Sequence, residues 1–275
     1  MERRFIKAIY NLLILILARP RFQRFYETLF RILIGFIGYM NFSEDFRLTG
    51  EKKLVKKLRE FNIRTALDIG ANKGQWAGMV LNETKWSVVS FEPQIRDFQF
   101  LEKLKSNYPG RFNCHNLALG DKTENTVINI HGSSTELSFI NNDLNNLPLL
   151  SGKSLFTEEI SMATIDDLYE ANQIQFNTID FVKIDVEGYE HKVLLGSRFF
   201  LREVKPTFIQ IEMNWHQLFT GTPLYEFGKI LTGYDCYQIF PSGSILHKIE
   251  ITNPIRNIYQ LANILFVRND AAFQL

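Results

Sequence analysis

A chain of 275 residues with 45% hydrophobic and 22% charged side chains can bury a full core, which excludes a disordered protein and makes one globular domain with an appendage the default. A net charge of +1 gives no general reason to expect a nucleic-acid partner. The two cysteines, Cys114 and Cys236, each sit in an apolar stretch, which excludes a disulfide framework or a zinc knuckle and fits a reducing, cytoplasmic setting.

The charge is unevenly spread. In residues 1–31 seven bases (Arg3, Arg4, Lys7, Arg19, Arg21, Arg24, Arg31) stand against Glu2 and Glu27, a surplus of five; with the whole chain at +1, the remainder carries −4. The same front end holds two apolar runs, AIYNLLILILA at 8–18 and LFRILIGFIGYM at 29–40. Each is shorter than the roughly 20 residues needed to span a bilayer. No small-x-small pattern follows the first run, so a cleaved signal peptide is not expected. Two readings stay open. One or two helices, broken at Pro20, lie on the anionic inner surface of a membrane through residues 1–40, or they pack on the main domain or on a second copy in a homo-oligomer. Residues 1–50 read as this helical appendage and 51–275 as the main domain.

From residue 51 onward helices alternate with short apolar strands, the pattern of a mostly parallel sheet covered on both faces. The charged helix EKKLVKKLREF precedes the strand TALDIG; a helix over 74–83 leads to SVVSFEP; the helix IRDFQFLEKLKSN precedes RFNCHNLAL. A β-like piece, NTVINIHG, is followed by a polar stretch from Ser133 to Ser154, which carries Phe139, Leu147 and Leu149 and reads as a lid. Then come the strand DFVKIDVEG, the helix YEHKVLLGSRFF, the strand TFIQIEMN, a helix near 223–232, and the strands YDCYQIF and NILFVRN. Seven strands in one doubly wound α/β domain account for this order.

In such sheets ligands bind beyond the carboxyl ends of the strands. DIGANKG lies at such an end: Gly70 and Gly74 permit close backbone approach, free amides at the next helix start can receive an anion, and Asp68 can accept bonds from an amine. Glu92, 24 positions later at the tip of the second strand, is placed to grip a ribose diol. The loop lacks both G-x-G-x-x-G and the Gly-Lys-Ser/Thr of a P-loop, so S-adenosylmethionine, which has a ribose, an amine and a carboxylate but no phosphate, fits better than a dinucleotide. A second constellation is DFVKIDVEGYE with IEMNWH. Asp185 and Glu187 emerge together, and an adjacent strand brings Glu212 and Asn214 to the same edge, with His216 nearby. Three carboxylates on one rim could bind a divalent cation such as magnesium, position substrate hydroxyls, or act as general base. A carboxylate here could equally cap the following helix or pair with Lys183. His115, His131, His191 and His247 have no ligand spacing.

With these motifs in hand, the chain resembles the FkbM family of S-adenosylmethionine-dependent methyltransferases over roughly residues 63–269, through LDIGANKGQW, SFEP, NLALGD, TIDDL, DFVKIDVEGYE, IEMN and NILFVRN in that order. The resemblance implies a class I, Rossmann-like methyltransferase fold and methyl transfer to a hydroxyl oxygen. By position it implies that Asp68, Gly70, Asn72 and Gly74 form the cofactor loop, that Glu92 is the ribose acid, and that Asn116 and Ala118 lie beside the adenine. Asp185, Glu187 and Glu212 match the family's acidic rim, which with His216 supplies the catalytic candidates, the three acids being the candidates for any metal. The expectation is therefore O-methylation of a saccharide hydroxyl. The alternatives are a lipid-linked or natural-product hydroxyl, or a noncatalytic adaptor that keeps the scaffold. A dehydrogenase is a third.

Overall fold

The computed structural model describes residues 2–39, 43, 45–131, 138–140, 154–174, 179–240 and 246–271. The chain divides into two units, Met1–Met40 and Asn41–Leu275. In the first, α1 (Glu2–Leu17) and α2 (Gln23–Phe36) are joined by a 3-10 turn at Pro20–Phe22. The proline sits at the turn's start, where its missing N–H costs nothing. The Tyr26 hydroxyl donates to the Leu17 carbonyl at 2.9 Å and ties the two helices together. Among the described residues no helix is long and apolar enough to cross a membrane.

The second unit opens with α3 (Glu51–Leu58), β1 (Thr65–Ile69), α4 (Gln75–Glu83), β2 (Ser87–Phe91), α5 (Ile95–Asn107) and β3 (Phe112–His115), in the expected order. It continues through β4 (Ala118–Leu119), β5 (Glu124–His131), β6 (Ser138–Phe139), β7 (Leu155–Ala163), α6 (Ile165–Glu170), β8 (Ile179–Ile184), α7 (Glu190–Leu195), α8 (Arg198–Glu203) and β9 (Phe208–Met213). It closes with α9 (Gln217–Thr220), α10 (Leu224–Ile230), β10 (Tyr234–Ile239), β11 (Leu246–Lys248) and β12 (Ala262–Arg268).

The main sheet runs β11-β10-β12-β9-β8-β1-β2-β3. The five strands from β9 to β3 are parallel, and β12, β10 and β11 add on antiparallel. The seven expected strands are all present, with three-residue β11 as an eighth at the edge. Ala66, Val88, Phe181 and Phe208 turn one face toward Leu54, Leu58, Trp76, Val80 and Leu101 of α3, α4 and α5. Leu67, Val182 and Ile209 alternate with them and are also buried, so both faces are covered and the doubly wound class I fold stands.

Three features differ from the sequence reading. A second sheet, β4-β7-β5-β6, was not expected as a sheet, because β7 alternates exposed Glu and Ser with buried Ile160 and Met162 and carries no apolar run. The single helix expected over YEHKVLLGSRFF is two: at Gly196 a Cβ would sit 1.9 Å from the Gly120 carbonyl oxygen, and Asp166 starts α8 afresh by accepting from the amides of Phe199 and Phe200. The Ser133–Ser154 lid lies outside the described residues apart from 138–140 and 154.

The chain winds outward from β1 to β3 and then crosses back to place β8 on the other side of β1, so the switch point falls between β1 and β8. Contact there is main chain to main chain: the Asp185 amide donates to the Ile69 carbonyl at 2.9 Å, and a Cβ on Gly70, at φ +81°, would lie 1.8 Å from the Asp185 carbonyl oxygen. Gly70→Ala is therefore expected to lower the unfolding free energy in urea by about 2 kcal/mol or more, from the left-handed backbone and the clash together. An unchanged midpoint would contradict this packing.

Candidate active site

Side chains two apart on a strand share a face, and that face of the main sheet is graded. Next to the apolar row Ala66, Val88, Phe181 and Phe208 comes the row Ser90, Asp68, Lys183 and Gln210, register partners across β2, β1, β8 and β9. All four are buried. Two residues further toward the carboxyl ends stand Glu92, Gly70, Asp185 and Glu212. A cleft of about 660 Å³ opens over this last row, a size usual for a small-molecule site.

Of the residues singled out by sequence, Gly70, Asn72, Glu92, Ala118, Asp185, Glu187, Glu212 and His216 all line this cleft. Asn72 holds a left-handed φ of 49° and donates its amide to Glu92 Oε2 at 2.8 Å, while Glu92 Oε1 accepts from the Gln94 amide at 2.9 Å. Asp68, Gly74 and Asn116 take supporting positions instead. Asp68 is fully buried below the floor, where Ser90 Oγ donates to its Oδ2 at 3.3 Å. Gly74 lets α4 approach α5, since a Cβ there would be 2.7 Å from Leu101. The Asn116 amide donates to the carbonyls of Glu92 and Pro93 and so braces the backbone that carries the acid.

At the rim, oxygens of Asp185, Glu187 and Glu212 all lie within 4.8 Å of one another, a spacing that could hold a divalent cation. Lys183 Nζ contacts Asp185 at 2.7 Å. Glu187 stands at a left-handed φ of 52°, rare for a non-glycine residue, and Gly188 follows at φ 97°, where a Cβ would meet His216 at 2.6 Å. Asn214 donates to Glu187 at 3.2 Å and its Oδ1 accepts from His216 Nδ1 at 2.7 Å, which leaves Nε2 as the basic ring nitrogen. The carboxylate that caps the following turn is Glu190, which accepts from the amides of Val186 and Gly188 and from Gln217.

The methyltransferase FkbM domain model matches residues 68–234, from the acid beneath the loop to the start of β10. The chain belongs to the FkbM methyltransferase family. It is an S-adenosylmethionine-dependent methyltransferase. No protein of curated function matches its sequence. Among solved structures it is similar to the O-methyltransferase from Bacillus cereus in complex with SAH, at 13% identity, covering 95% of this chain and 97% of that one, with a TM-score of 0.45. A putative O-methyltransferase from Klebsiella pneumoniae gives 13% identity, 95% and 96% coverage and a TM-score of 0.42. Precorrin-6y C5,15-methyltransferase from Geobacter metallireducens GS-15 gives 10%, 79% and 88%, and 0.39.

The cleft is strongly polarised by burial. Burial pushes Glu92 up to about 7, against the lowering effect of the Gln94 and Asn72 amides, and Asp68 up to about 6, against the nearby Lys183 ammonium. Glu212 is driven well above the ordinary carboxylate range, by burial first and then by the charges of Asp185 and Glu187. Burial alone would discharge Lys183, but Asp185, Asp68 and Glu51 outweigh it and hold the ammonium above its ordinary range.

Sequence reasoning missed Glu51 and the residues around it. Glu51 accepts from Gln210 Nε2 at 2.7 Å and from Thr49 Oγ1 at 2.7 Å, and it lines the cleft with Thr49, Phe46 and Asn263. Its spacing three and seven residues before Leu54 and Leu58, on the buried face of α3, was the available signal. Trp76 and Trp215 were also missed as cleft walls. For His216, burial pulls the imidazole down to about 4. Its ring should therefore titrate below about pH 5 in NMR spectra of the free protein. A midpoint near the ordinary value of about 6.5 would contradict the packed, neutral imidazole.

Proposed function

We propose that the cleft methylates a hydroxyl oxygen of a saccharide, with S-adenosylmethionine as donor. The observation that carries this reading is the placing of three carboxylates directly beside the glycine loop, with the half-exposed indole of Trp215 as a wall. Acceptor-only carboxylates suit a ligand with several hydroxyl donors, and an indole suits the apolar face of a sugar ring.

The residues fit the donor. Glu92 retains lone pairs for a ribose diol, and the indole N–H of Trp76, buried on the cleft wall, has no acceptor among the described residues. Bound there, S-adenosylmethionine supplies a strongly electrophilic methyl group. The remaining work belongs to the chain: to hold the acceptor hydroxyl in line, exclude water and take up its proton. Lys183 fixes Asp185 as a hydrogen-bond acceptor for the sugar. Glu212, whose proton affinity burial and the Asp185 and Glu187 charges raise, is in its ionised form the strongest base of the three carboxylates and the one suited to receive the hydroxyl proton. His216, neutral and held by Asn214, orients Glu187. A magnesium ion among the three carboxylates is the second reading, favoured by their convergence, and calorimetry with and without magnesium separates the two.

In calorimetric titration S-adenosylhomocysteine should bind in the micromolar range, and binding should weaken as pH falls. A ribose diol needs the ionised form of Glu92, which is lost below about pH 7, so affinity should drop by up to about tenfold per unit from about pH 7 to about pH 5. Glu92→Gln should bind weakly with a flat profile; a flat profile in the parent protein would remove Glu92 from the ribose site. Asp185→Asn should keep homocysteine-adduct binding and lose about 100-fold or more in turnover. Labelled methyl transfer to a panel of saccharides tests the acceptor, and transfer only to phenols would overturn the saccharide reading.

A further inference from the structure

The N-terminal unit carries a surface that the methyltransferase site does not use. From Leu12 to Leu17 six consecutive apolar side chains are each between 43% and 70% exposed. Successive residues of a helix are turned by about 100°, so this run presents apolar groups around its whole circumference. On α2, Phe25, Phe30 and Phe36 are 64%, 60% and 75% exposed. A protein partner covers one stripe of a helix, whereas a helix that is apolar all round needs apolar surroundings on every side.

Length and charge decide between crossing a bilayer and lying in its surface. The uncharged stretch from Ala8 to Ala18 is eleven residues, about 16 Å of helix, roughly half the hydrocarbon thickness of a membrane. Exposed bases flank it, Lys7 on one side and Arg19, Arg21 and Arg24 on the other, within a segment of seven bases against two acids. Cationic groups at both ends of a short apolar helix match a layer of anionic headgroups over acyl chains. Tyr10 and Tyr26, beside the groove between the helices, are side chains that favour that boundary.

We infer that α1 and α2 embed together in one leaflet of a membrane bearing anionic lipid, with the flanking arginines at headgroup level. The inference concerns where the enzyme works and stands whatever its acceptor is. The test is flotation of the full chain with vesicles of phosphatidylcholine alone or with one third phosphatidylglycerol. The chain should float with the anionic vesicles and much less with the neutral ones. The double variants Leu12→Glu/Leu15→Glu and Arg21→Glu/Arg24→Glu should each reduce flotation at least tenfold while keeping circular dichroism and S-adenosylhomocysteine binding. Equal flotation with neutral vesicles would overturn the anionic assignment, and equal flotation of the variants would overturn the two helices as the anchor. Failure to float with either vesicle, together with a dimer in light scattering that the leucine variant dissolves, would assign the surface to a second copy instead.

Discussion

Lys183 is buried in the middle of the main sheet, and taking an ammonium out of water costs several kcal/mol unless opposite charges surround it. Asp185 at 2.7 Å supplies the nearest charge, and Asp68 and Glu51 add to it. This requirement explains the polar row under the cleft: Asp68 on one neighbouring strand, Gln210 on the other, and Glu51 brought over by α3 and held by Gln210 and Thr49. Remove the ammonium and three acids would share a buried space with no counterion between them. The row also joins the two halves of the site. It runs from the strand that ends in the glycine loop to the strands that end in the acidic rim, so the loop and the rim rest on one electrostatic unit.

The backbone above that row is unusual for the same reason. At the switch point β1 and β8 approach main chain to main chain, which only Gly70 permits. Beyond it Asn72 and Glu187 both take left-handed conformations, and Glu187 gains no steric relief from its side chain. Strain of this kind persists where the surroundings over-determine it. Here Glu190 does so from below, through the amides of Val186 and Gly188, and Asn214 does so from the side through the Glu187 carboxylate. The result is that Asp185 and Glu187 turn toward Glu212 and keep three carboxyl groups within 4.8 Å of one another. Such an arrangement is costly without a ligand to share it, which is why the rim reads as a working site.

The parts of this architecture written in local pattern were legible in the sequence. Fully apolar strands alternating with helices gave the doubly wound sheet, and DIGANKG, SFEP and VKIDVEGYE marked its carboxyl edge. Cys114 and Cys236 are buried and free, as their apolar surroundings suggested. What escaped depends on contacts between distant segments. Glu51 looks like one more charge on a solvated helix until Gln210 arrives from 159 residues away. Gly74 reads as a cofactor-loop glycine, yet its left-handed backbone and the approach of Leu101 on the next helix also require it. Asn116 gives no local sign of its bonds to the Glu92 and Pro93 carbonyls, more than 20 residues away. β7 was hidden because one of its faces is polar, and a strand with Glu158 and Glu159 side by side at its centre does not stand out from a loop.

The central claim is that one cleft holds the methyl donor over the polar row and the acceptor against the acids. The most direct measurement is a crystal structure of the full chain with S-adenosylhomocysteine. The account predicts the ribose hydroxyls on the Glu92 carboxylate, the amino acid portion against the Gly70–Lys73 loop, and the sulfur facing Asp185, Glu187 and Glu212. A ligand bound elsewhere, or bound here with its sulfur turned away from the three carboxylates, would contradict it.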